Sequence, residues 1–143
     1  MRKTLLFSIL ILSMGACNKD KYTTAPQLKF ESVNTTILGR NQELIFTLSF
    51  TDAEGDIQNT LTVLKVVKRC PANADSGFSQ PYTVPNFPSG KNQAGELIVT
   101  FNYNDVSPKC FPKNDTALFK FVLADKANHL SDTAVSKPII ILN

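Results

Sequence analysis

The apolar residues of this chain fall in short runs with a period of two. In Glu43–Thr51, Leu44, Phe46, Leu48 and Phe50 alternate with Ile45, Thr47 and Ser49, which gives a strand one apolar face. Glu96–Tyr103 alternates in the same way through Leu97, Val99, Phe101 and Tyr103, and Ala117–Ala124 sets Phe119, Phe121 and Leu123 on one face. Thr60–Arg69 starts with Leu61 and Val63 on one face. Its Leu64, Val66 and Val67 then break strict alternation, which predicts a bulge or burial on both sides. Leu28–Val33 is a modest opening strand, and Lys137–Leu142 closes the chain with Ile139, Ile140 and Ile141. Pro81–Phe87 is broken by prolines and fits an edge strand or a crossing between sheets. No run shows the three-and-four spacing of an amphipathic helix.

About seven strands in roughly 115 residues, divided by Gly, Pro, Asn and Asp clusters, predict an all-β domain. The count and spacing are those of an immunoglobulin-like β-sandwich spanning residues 27–143.

The N-terminus follows a different rule. Arg2-Lys3 precedes an apolar run from Thr4 to Leu12 and the small residues Gly15-Ala16, the layout of a secretory signal peptide over residues 1–16. The apolar run is far shorter than the roughly 20 residues that cross a bilayer as a helix. Cys17 directly after Gly15-Ala16 resembles the lipobox of bacterial lipoproteins, with Met14 in place of the usual leucine. That resemblance implies lipidation of Cys17, which becomes the new N-terminus, and attachment to a membrane by acyl chains. Residues 17–26, Cys-Asn-Lys-Asp-Lys-Tyr-Thr-Thr-Ala-Pro, read as a polar tether. Asn18, where aspartate favours inner-membrane retention in related lipoproteins, points to the outer membrane.

Further residues extend the resemblance. Leu48-Ser49-Phe50-Thr51-Asp52-Ala53-Glu54-Gly55-Asp56-Ile57 is similar to the F-x-D-x-(D/E)-G-D turn of immunoglobulin-like, cadherin-like and PKD-like modules of bacterial surface proteins. Val122 to Asp132 resembles the V-x-D-x-A-G-N-x-S segment of the same modules, with Asn128 where glycine is commoner and His129 where asparagine is. The whole resembles a small single-domain lipoprotein of the Bacteroidetes type, in which Cys followed closely by Lys-Asp is a frequent start. The lipobox and the two phrases cover about a quarter of the chain and specify class better than activity.

Export changes the reading of charge and of cysteine. Removing residues 1–16 of 143 leaves 127, enough for one domain with a real core. Losing Arg2 and Lys3 from the 15 basic residues leaves 13 against 12 acidic ones. The net +3 of the whole chain is therefore no argument for nucleic-acid binding, and no basic stripe interleaved with aromatics occurs. With Cys17 lipidated, Cys70 and Cys110 remain, an even pair in an oxidising compartment. A Cys70–Cys110 disulfide joining two loops is the expected state, with free thiols or a metal site as rivals. No second Cys/His pair exists to complete a zinc set.

Candidate chemistry is sparse. Asp52, Glu54 and Asp56 stand within five residues at the end of a strand, and hard oxygen ligands so spaced suit calcium. Asp125 would join them if the second and sixth strands were neighbours. The pattern is not an EF-hand loop, since the glycine precedes the third acid. The rival reading is a plain turn, in which Asp and Gly bond nearby backbone amides. His129 is the only histidine, near Ser131 and Asp132, but triad partners seldom lie side by side in one loop. With no nucleophile elbow and no phosphate cradle, no catalytic residue is assigned and turnover is not expected.

Phe78, Tyr82, Phe87 and Phe111 lie in loop-like sequence and either cover the ends of the sandwich or form a surface for a partner or sugar. The expected role is a lipid-anchored, non-catalytic envelope protein that binds or supports. The alternatives are a calcium-stabilised adhesion or glycan-binding module, a small hydrolase around His129, and a cap on a membrane-embedded assembly.

Overall fold

The computed structural model of the chain describes residues 21–67, 78–86, 88, 90–108 and 112–143. Its elements are β1 (Gln27–Val33), β2 (Ile37–Leu38), β3 (Glu43–Asp52), β4 (Thr60–Val67), β5 (Phe78–Thr83), β6 (Gln93–Asn102), the single-turn helix α1 (Tyr103–Val106), β7 (Asp115–Ala124), β8 (Ala134–Val135) and β9 (Ile139–Ile141). One sheet has the order β1-β3-β6, all antiparallel. The second runs β2-β9-β7-β4-β5, with β8 beside β7 and only the β2–β9 pair parallel.

The alternation read from the sequence decides how the sheets face. Leu44, Phe46, Leu48 and Phe50 of β3 are buried, as are Ala117, Phe119, Phe121 and Leu123 of β7. Phe46 sits between the layers, with ring centroids 4.9 Å from Phe119, 5.1 Å from Phe121 and 6.3 Å from Phe101 of β6. Strand-paired sheets with such an interdigitated interior make an all-β, immunoglobulin-like sandwich.

Two expectations change. β4 carries no bulge: it pairs in unbroken register with β5 on one side and β7 on the other. Alternation continues because Lys65, only 2 % exposed, is its third inward residue after Leu61 and Val63. Its Nζ donates to the Val106 carbonyl at 2.7 Å and lies 3.6 Å from buried Asp115 Oδ2, so the charge is compensated inside the core. The register shift falls instead in β1, between Phe30 and Ser32. The second change is α1, a helical turn too short to show periodicity, where Asp105 accepts the Asn102 N–H at 2.8 Å.

The proline-broken segment is an edge strand, as expected, but β5 begins at Phe78 and ends at Thr83. Pro81 is tolerated there because, among the described residues, β5 has a strand partner on one side only. Phe78 and Tyr82 pack on Phe101, with centroids 5.9 Å away in each case, so these two aromatics cover the flank of the core. Phe87, Phe111, Cys17, Cys70 and Cys110 lie outside the described residues, and with them the lipidation and disulfide expectations.

Phe46→Ala should lower unfolding stability by about 3–5 kcal/mol, because it empties the joint between the sheets. Ile98→Thr on the outer face of β6, where Ile98 is 59 % exposed, should stay within about 0.5 kcal/mol. Urea denaturation of both variants checks the contrast.

Candidate functional site

One end of the sandwich gathers four chain segments. β3 ends there at Asp52 and β7 at Ala124, β4 starts there at Thr60, and β6 starts there at Gln93 opposite Asp52. β3 and β7, the strands whose nearness would bring Asp125 to the acidic turn, belong to different sheets. They face each other across the core and run toward the same end, and this is how Asp125 comes to lie beside Asp52.

Asp52 is fully buried and its Oδ2 accepts the backbone N–H groups of Gly55 and Asp56. This is the aspartate-led turn foreseen from composition. Gly55 at φ +70° supplies the left-handed residue, and a Cβ there would lie 2.0 Å from the Gly90 carbonyl oxygen. The loop is stitched on all sides. Ala53 N–H donates to Thr23 O at 3.1 Å, Asn92 N–H to Ala53 O at 2.9 Å, and Lys126 N–H to Asp56 O at 3.0 Å. Asn59 reaches across with its side-chain amide to the Asp125 carbonyl.

Asp125, also fully buried, organises the second loop. Its Oδ1 accepts His129 N–H and its Oδ2 lies against His129 Nδ1, both at 2.8 Å. Asn128 adopts φ +66°, so the asparagine that replaces the commoner glycine occupies the left-handed position that asparagine tolerates.

The structure thus brings Asp52, Asp56 and Asp125 together, with one carboxylate oxygen of each within 4.8 Å of the others. Glu54 is exposed and forms a second trio with Asp125 and His129 at the rim. Burial, then repulsion from Asp125 and Asp52, raises the pKa of Asp56. The hydrogen bond and charge of Asp125, with smaller contributions from Glu54 and Asp56, raise that of His129.

His129 is a half-exposed loop residue whose ring meets Asp125. The spacing Asp125-x-x-x-His129 lets the turn close on itself. The suspected Ser-His-Asp set does not assemble: the Ser131 hydroxyl accepts Leu123 N–H at 3.0 Å and donates to Asp132 O at 2.8 Å.

No family model and no curated protein matches the chain. Among solved structures it is similar to the PKD domain of an M14-like peptidase from Thermoplasmatales archaeon SCGC AB-540-F20, at 15 % identity and a TM-score of 0.44, covering 83 % of this chain and 94 % of that one. It is also similar to a β-glucosidase from Kluyveromyces marxianus crystallised with glucose, at 5 % identity and a TM-score of 0.49, covering 84 % of this chain but 14 % of that one. A third likeness is to the CARDB domain of the PF1109 protein of Pyrococcus furiosus in complex with di-metal ions, at 10 % identity and a TM-score of 0.34, covering 84 % and 96 %.

Gly55→Ala should cost more than about 1–2 kcal/mol, from the left-handed backbone and the clash with Gly90. Gly90→Ala, where an added Cβ meets nothing within 4 Å, should be neutral; thermal melts of the two variants distinguish them. With chelator present, the His129–Asp125 pair should add stability in full below the ordinary histidine pKa of 6.5. A raised folded-state pKa means that this contribution fades as pH climbs through the higher value. The melting-temperature gap between the native protein and His129→Gln should therefore be wide at low pH and narrow at high pH.

Proposed function

We propose that the chain is a lipid-anchored, non-catalytic module of the cell envelope, held at the outer membrane through Cys17, with the sandwich in a binding or structural role. One observation carries the reading: the export run and Gly15-Ala16-Cys17 stand ten residues ahead of β1, so the anchor leads straight into the sandwich. Asn18 after the cysteine supports the outer membrane as its destination.

A non-catalytic role is supported by how the polar groups of the acidic end are used. The serine nearest His129 is committed to backbone partners, and the Asp125–His129 pair closes a turn. Among the described residues no nucleophile stands at hydrogen-bond distance from His129, and a base with its orienting carboxylate alone does not make a hydrolytic site. The adhesion or glycan-binding alternative gains support from the clustered carboxylates, while Phe78 and Tyr82 are engaged with Phe101.

Radiolabelled fatty acid should appear in the native protein and be absent from Cys17→Ser, which should leave the membrane fraction or accumulate unprocessed. Equal labelling and unchanged membrane fractionation of the variant would overturn the anchor. Several acyl chains, at about 0.8 kcal/mol per buried methylene, make the expected difference large.

A further inference from the structure

We propose that the acidic end of the sandwich binds one hard divalent cation, calcium, through the carboxylates of Asp52, Asp56 and Asp125. The site is independent of the lipid anchor, because its ligands all come from the folded body.

The turn explains only part of Asp52. Its Oδ2 takes two backbone amides, but its Oδ1 is enclosed and has no hydrogen-bond partner among the described residues. Asp56 Oδ1 is enclosed and without such a partner as well. A carboxylate oxygen shut away from both water and proton donors is costly, and a turn alone gives no reason for two of them in one loop. A cation between them removes the cost.

The dimensions suit calcium. Oxygens about 2.3–2.6 Å from one ion lie no more than roughly 5 Å apart, and the three carboxylates each offer an oxygen within 4.8 Å of the others. Asp125 still has lone pairs to give, since each of its oxygens accepts a single bond from His129. The His129 contact orients that carboxylate from behind, as outer-shell partners of metal ligands do. Lys126, exposed at the rim, is the cation whose field reaches Asp56.

The nitrogen-bearing trio of Glu54, Asp125 and His129 would suit zinc better. It is open to solvent at Glu54, and its histidine nitrogen Nδ1 already faces Asp125. The enclosed, all-oxygen trio is therefore the assigned site. Three carboxylates completed by water suggest a dissociation constant of about 0.1–1 mM, the range of extracellular calcium modules.

The test uses the full-length protein, purified in detergent, stripped with chelator and titrated with calcium chloride at constant ionic strength. One saturable calorimetric site is expected, with a rise in melting temperature of roughly 3–8 °C at about 10 mM calcium. Asp56→Asn should weaken binding at least tenfold and abolish the rise, whereas Glu54→Gln should retain it. No saturable heat, an equal rise with potassium chloride alone, or a rise with zinc but not calcium would each overturn the assignment. So would loss of the rise in Glu54→Gln with its retention in Asp56→Asn. If Asp56→Asn fails to fold, calorimetry on the unmodified protein decides.

Discussion

The packing of Phe46 against Phe119 and Phe121 joins the two sheets, and the other placements follow from it. Once β3 turns Leu44, Phe46, Leu48 and Phe50 inward, its neighbours β1 and β6 inherit the same face through their register. β7 meets that face with Phe119 and Phe121, and β4 and β9 are set by pairing to β7. Because β3 and β7 face each other and run the same way, Asp52 and Asp125 lie at one end of the core. Had β3 and β7 run in opposite directions, the same residues would sit at opposite ends of the sandwich.

Buried ionisable groups stand at both ends, with different balance. At the α1 end, Lys65 and Asp115 offset each other and the Val106 carbonyl accepts a hydrogen bond from the lysine ammonium, so a helical turn is fastened to the sheet. Removing either partner of such a pair strands the other charge, the costly outcome in a dry interior. At the other end two carboxyl groups, those of Asp52 and Asp125, are both enclosed. Backbone amides and His129 partner those carboxyl groups, and the unmet demand falls on Asp52 Oδ1 and Asp56 Oδ1.

Most strands were legible because period-two alternation is a direct image of one buried face. β3, β6 and β7 were found within three residues of their ends. The pattern failed where a polar residue occupies an inward position: Leu64, Val66 and Val67 break the apolar alternation, while Lys65 is the next inward step of the repeat. The two-residue strands β2 and β8 and the single turn α1 are too short to carry a period. At the acidic end, Asp52, Glu54, Asp56 and Asp125 were all recognisable as candidates. The approach of Asp125 to Asp52 and Asp56 depended on the nearness of two strands, which period-two patterning does not encode, and the contact crosses between sheets. The part played by His129 was hidden because only the folded turn shows which carboxylate it meets.

The bond from Ala53 N–H to Thr23 O ties the start of the described chain to the acidic loop. It clamps the incoming chain about six residues after Cys17, a stretch that reaches no farther than roughly 20 Å when fully extended. If Cys17 carries the acyl chains proposed for it, the carboxylate-rich end would be the one turned toward the lipid headgroups. The opposite pole, where β4 ends and β7 begins, stands a strand's length farther out, roughly 30 Å for a ten-residue strand. A tall molecule arriving from beyond the bilayer would meet that outer pole first.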